Sequence, residues 1–193
     1  MSVPKAERRP VMRTEDHFLL AAYITKNTGI GWLNRRMFLL GNIEPDYNRF
    51  SYLGRHVTYF SHGHSFRAQR RRFRHFFRQV KRGHAKTHSP LWWFQAGRVF
   101  HYLTDSFSRP HNPEFDYKSP DHIAYEKALE KIFIHRLRKN RRNWTVPEIR
   151  SDPMEWLLAR HEEYLSLTKG PEDDAFFICT TIIALWNWVH QRL

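Results

Sequence analysis

The apolar positions of this chain recur mostly at helical intervals. From Phe66 to Lys81, the residues Phe66, Phe73, Phe76, Phe77 and Val80 fall on one face while arginines crowd the rest, which predicts an amphipathic helix closed by Gly83. Upstream, Thr14-Glu15-Asp16 precedes an apolar run, His17 to Ile24, in the manner of a helix start. Trp32 to Leu40 predicts a second, short helix ending at Gly41. The stretch Asn42 to Phe60 holds Pro45, Asn48 and Gly54, has no stripe, and predicts a long loop of the kind that carries function. Pro90 opens a strongly apolar helix to Phe107, Ser119-Pro120-Asp121 starts one that runs to about Lys139, and Asp152-Pro153 starts another. Beyond the breaker Lys169-Gly170-Pro171, Asp173 or Asp174 leads into a last helix to about His190. No alternating run bounded by a tight turn predicts a strand. The expected class is all-α, a single-domain helical bundle over residues 13–193 preceded by a flexible basic arm, residues 1–12.

Charge and cysteine content narrow the chemistry. A single cysteine, Cys179, removes any intramolecular disulfide framework and any cysteine-based zinc site, so a metal would have to sit on His and carboxylate. The N-terminal residues have no apolar core after their basic positions and do not predict a secretory signal. Ala175 to Val189 is too short and too polar for a membrane span. A cytoplasmic protein, at most peripheral to the inner membrane face, is therefore expected. The net charge of +13 is concentrated: no acidic residue lies between Asp46 and Asp105, while twelve Arg and Lys do. Arg67, Arg70, Arg71, Arg74 and Arg78 are candidates for binding an anionic surface, either lipid headgroups or a nucleic-acid backbone. The competing account is the solvated outer face of a bundle helix whose phenylalanines serve the core. A second basic run, Arg136 to Arg142, would extend the same surface.

Thirteen histidines are the compositional oddity. His101 and Asp105 are four residues apart on one predicted helix, His122 and Glu126 repeat that spacing on the next, and His111 lies in the Pro-flanked loop between them. Side chains at i and i+4 project from the same face. Zinc takes imidazole nitrogen at about 2.0–2.1 Å and carboxylate oxygen at about 2.0–2.2 Å, so such pairs can share an ion. A structural ion pair would need the same spacing, but the apolar setting of Trp92, Trp93, Phe94 and Phe100 makes a buried His-Asp pair one that has to be satisfied. His84 and His88 predict a surface loop, and His56, His75, His135, His161 and His190 predict solvated or capping roles.

The run Gly97-Arg98-Val99-Phe100-His101-Tyr102-Leu103-Thr104-Asp105, then His111, then His122-Ile123-Ala124-Tyr125-Glu126, resembles the zinc-dependent phospholipase C family. That family shares its fold with the zinc-dependent single-strand nucleases. His17, Asp46 in Pro45-Asp46-Tyr47, and His64 in Gly63-His64-Ser65-Phe66 are similar to further family positions, with His62 the alternative to His64. The resemblance implies one zinc on Asp46, His64, His101 and Asp105, a second on His111, His122 and Glu126, and a third involving His17 with Asp105 as a bridge. In secreted members a mature N-terminal tryptophan completes that third site. Here Met1 lies sixteen residues before His17, so two zinc ions are expected, with the third weak or absent. Tyr47 matches a headgroup-pocket position.

The expected activity is a phosphodiester hydrolase with phospholipase C-type cleavage of glycerophospholipid headgroups. Zinc ions would clamp the phosphodiester and lower the pKa of a bound water to about 7, and Asp46 would orient or deprotonate that water. One alternative is a nuclease of the same fold acting on single-stranded nucleic acid, although the Gly-Gly-Asn usual in those enzymes is absent. A non-enzymatic alternative is a basic membrane- or nucleic-acid-binding domain with structural zinc.

Overall fold

The computed structural model describes residues 14–47, 64–83, 89–112, 121–139 and 145–193, with backbone alone at 121–123, 126, 138 and 139. The expected arm at residues 1–12, together with His56, His62, His84, His88 and the end of the 136–142 basic run, lies outside the described residues. Among those residues there are seven α-helices and no strand: α1 (Thr14–Ile24), α2 (Trp32–Tyr47), α3 (Phe66–Lys81), α4 (Pro90–Asp105), α5 (Asp121–Lys139), α6 (Pro153–Leu167) and α7 (Pro171–His190). A 3-10 turn, Arg109–His111, follows α4. The class is all-α, as the periodicity predicts.

α4 is the central element. Ser89 caps it by accepting from Trp92 N–H, Pro90 opens it, and Trp92, Trp93, Ala96 and every residue from Val99 to Asp105 are buried. Its most extensive neighbour is α2, and here the structure departs from expectation. α2 does not stop at Gly41 but runs to Tyr47, so the first part of the expected loop is helical. Gly41 is a packing residue: a Cβ there would collide with the Phe94 carbonyl, and one on Gly97 would collide with that of Phe38. Two glycines thus let two helix backbones touch. Pro45 sits in the final turns of α2, where its missing N–H removes only one helical bond before the helix ends.

In α3, Ser65 caps the start, and Gly83, at φ 54°, closes the end in the left-handed region. Phe66, Phe73, Phe76, Phe77 and Val80 are all buried. The phenylalanine stripe is therefore core, as the bundle-helix account has it, and is closed to lipid. Arg67, Arg70, Arg71, Arg74 and Arg78 are exposed.

Asp152 caps α6 by accepting from Met154 and Glu155 N–H, and Lys81 at the end of α3 donates to its other oxygen at 2.5 Å. α7 begins at Pro171 with Gly170 as its cap. Asp173 and Asp174 are thus inside its first turn rather than ahead of it, because proline's fixed φ already suits a first helical position. Phe38 of α2 joins the layers, its ring 5.4 Å from Phe100 and 5.1 Å from Trp186.

His75, His135 and His190 are exposed, as expected. His161 is not. It is buried, stacks on Phe66 at 4.0 Å and donates from Nε2 to the Ser106 carbonyl at 3.0 Å. Burial pushes its pKa down to about 4. Among the described residues, no helix is long and apolar enough to cross a membrane.

Candidate metal centre

Asp105 closes α4 with no exposed surface, and four imidazoles from separate parts of the chain surround its carboxylate. His101, one turn earlier on the same helix, brings Nε2 to 3.1 Å from Oδ2. His17, on α1, brings Nε2 to 3.1 Å from Oδ1. His64, just ahead of α3, approaches Oδ2 with Nδ1 at 2.5 Å, and His111, ending the 3-10 turn, approaches Oδ1 with Nε2 at 3.5 Å. The His17 and His101 rings stack at 4.0 Å. Two groups of donor atoms close enough to share an ion result: His17, His101 and Asp105, and His64, Asp105 and His111. Asp105 belongs to both.

The helical extension of α2 supplies the fourth wall. Asp46, in its last turn, places Oδ1 at 3.6 Å from His101 Nε2, while its Oδ2 accepts from the Thr14 hydroxyl at 3.0 Å. One turn earlier, the Asn42 carbonyl lies 2.8 Å from His101 Nδ1. A carbonyl only accepts, so Nδ1 carries the proton and Nε2 presents a lone pair to the cluster. A metal-binding histidine is held in its tautomer by an outer hydrogen bond of this kind. Thr14 and Asn42 escape a reading by spacing: Thr14 looks like a cap, and Asn42 lies beyond an apparent helix stop.

Burial would raise the Asp105 carboxyl, but the imidazoles of His111, His101 and His17 packed around it outweigh burial and hold the group well below the ordinary carboxylate range. Burial lowers His111 to about 4, against the pull of Asp105. Burial and the neighbouring His17 lower His101. Burial also acts to lower His17, yet Asp105 and Asp46 raise it overall. Asp105 is thus driven towards the carboxylate and His101 and His111 towards neutral imidazole, the forms that bind a metal ion, whereas His17 is driven towards its protonated form and would have to give up a proton to bind one.

The donor set fits zinc. Both nitrogens of His17, Nε2 of His111 and the Oδ1 atoms of Asp46 and Asp105 are buried without a hydrogen bond. An unsatisfied buried polar atom costs on the order of 1–3 kcal/mol, and native structures keep few of them. Several converging on one carboxylate match an ion-binding site of imidazole nitrogen and carboxylate oxygen.

Of the other residues singled out by sequence, Tyr47 lies 74% exposed beside Asp46, and the side chains of His122 and Glu126 on α5 lie outside the described residues. Arg72 covers the Tyr102 ring at 5.0 Å, and the Tyr102 ring meets those of His64 and His101 edge-on.

No curated protein and no solved structure matches the chain. The model of one family, zinc dependent phospholipase C, matches residues 16–176. That span takes in His17, Asp46, His64, His101, Asp105 and His111, the residues just seen to converge, and on this ground the chain belongs to the zinc-dependent phospholipase C family.

Proposed function

We propose that the protein hydrolyses phosphodiesters with phospholipase C-type cleavage, releasing phosphorylated headgroups from glycerophospholipids. The observation that carries this reading is the convergence of four buried histidines on Asp105 with donor atoms left unsatisfied. His17, His101 and Asp105 would hold one zinc, and His64, Asp105 and His111 a second, with His122 and Glu126 completing the set from α5. Zinc, when bound, supplies a Lewis acid for the phosphoryl oxygens and lowers the pKa of water to about 7.

The chain's own residues do the rest. Asn42 holds His101 in the donor tautomer, and Asp105 keeps its charge between the two triads. Thr14 pins one oxygen of Asp46, leaving Oδ1 to orient the attacking water and take its proton. Tyr47, exposed at the end of the same helix, would meet the headgroup. The exposed arginines of α3 would hold an anionic bilayer by charge alone, since their phenylalanine partners are buried.

Metal analysis of the purified protein, coupled to assays on phospholipid vesicles and single-stranded DNA, tests the reading. Zinc near two per chain with release of phosphorylated headgroup is expected. A protein that neither retains nor takes up zinc would sink it, and cleavage of DNA but not lipid would replace it with the nuclease alternative.

A further inference from the structure

Asp174 lies outside the metal cluster, yet it is fully buried and accepts four hydrogen bonds from three different segments. Its two oxygens divide them. Oδ2 accepts from the Arg109 backbone N–H at 2.8 Å and from the Tyr125 hydroxyl at 2.7 Å. Oδ1 accepts from the Tyr164 hydroxyl at 3.0 Å and the Thr168 hydroxyl at 2.8 Å, both from the α6 side. Arg109 begins the 3-10 turn that ends in His111. Tyr125 sits on α5 between positions 122 and 126.

We propose that Asp174 is a positioning residue for the metal centre: through Oδ2 it ties the His111 turn to α5, and so sets the two segments that carry His111, His122 and Glu126 at a fixed separation. The inference rests on the zinc reading above. A buried carboxylate can accept about four bonds, and Asp174 is filled, which makes it a rigid post. The His111 turn needs one, because it is a single 3-10 turn with no side-chain cap. The bonds within the turn are local: His111 N–H donates to the Ser108 carbonyl at 3.0 Å and Asn112 Nδ2 to the same oxygen at 2.8 Å. Asp174, sixty-five residues on, is a long-range tether of the turn's backbone, beside the exposed bond from the Arg109 guanidinium to the Lys169 carbonyl at 3.0 Å.

The division of the carboxylate supplies a matched experiment. Tyr125→Phe and Tyr164→Phe each delete one phenol hydroxyl from the same buried carboxylate, one on the ligand-bearing side and one on the α6 side. Both should lower the melting temperature to a similar degree. Only Tyr125→Phe should weaken zinc retention against a competing chelator, by about tenfold, the scale for an outer-shell partner. It should also alter the visible absorption of the Co2+-loaded protein, while Tyr164→Phe leaves both at wild type. Equal effects of the two variants on metal, or none from Tyr125→Phe, would overturn the proposal and leave the zinc reading standing. A wild-type protein that binds no zinc would overturn both.

Discussion

Asp105 has four imidazoles within 3.5 Å of its oxygens and no contact with solvent, so its charge is central to letting those donors face one another. Asp105→Asn keeps the shape and removes that charge; it should lose zinc and activity together, read by elemental analysis and turnover. Asp46→Asn should separate the two. If Asp46 serves as base and orienter, zinc stays bound while turnover falls by about 10²–10⁴, and full activity in this variant would exclude the role. His161 gives a prediction of another kind. Its pKa is 6.5 in an ordinary setting and about 4 here, so the unfolded chain binds the proton first as pH falls. Stability contributed by neutral His161 is complete above pH 6.5 and is lost towards pH 4, about 3 kcal/mol by linkage. The melting temperature should fall more steeply across that window in the wild type than in His161→Phe; parallel curves would refute it.

At the scale of elements, the α2–α4 contact decides whether the site exists. Alanine usually improves a helix interior over glycine by roughly 0.5–1 kcal/mol, but at Gly41 and Gly97 the new methyl would meet backbone of the opposite helix. Overpacking of that sort costs about 1–3 kcal/mol, so the net sign is destabilising. Gly97→Ala should lower the melting temperature and, by pushing the Asn42 carbonyl away from His101, reduce zinc retention; an unchanged protein would show that the helices can part without consequence. These same glycines explain what the sequence hides. His101 and Asp105 are legible because i and i+4 share a helix face, and the arginine face of α3 is legible for the same reason. Gly41 and Pro45 look like punctuation, since the close approach that makes glycine necessary at 41 comes from α4, more than fifty residues away. His161 is hidden likewise: only the fold brings Phe66 and the Ser106 carbonyl to it.

For the whole molecule, net charge and metal should both register. Reversing Arg70, Arg71 and Arg74 to Glu should weaken association with anionic vesicles, and wild-type association should fall steeply with added salt; unchanged binding would return these residues to a solvated face. Zinc at 100 times its dissociation constant should stabilise the fold by about 2.7 kcal/mol, seen as a melting temperature that rises with zinc and drops with chelator. The cluster also has a history as well as a geometry. His64 and Asp105 are 41 residues apart, His101 and the Asn42 carbonyl 59, so no short peptide of this protein contains the centre. α1, α2 and α3 all precede α4 in the chain, so the site can close only after α4 has been made. Contacts of such span arrive late and slowly. Until then no three of these donors stand together, so a site able to choose among ions exists only once the fold does.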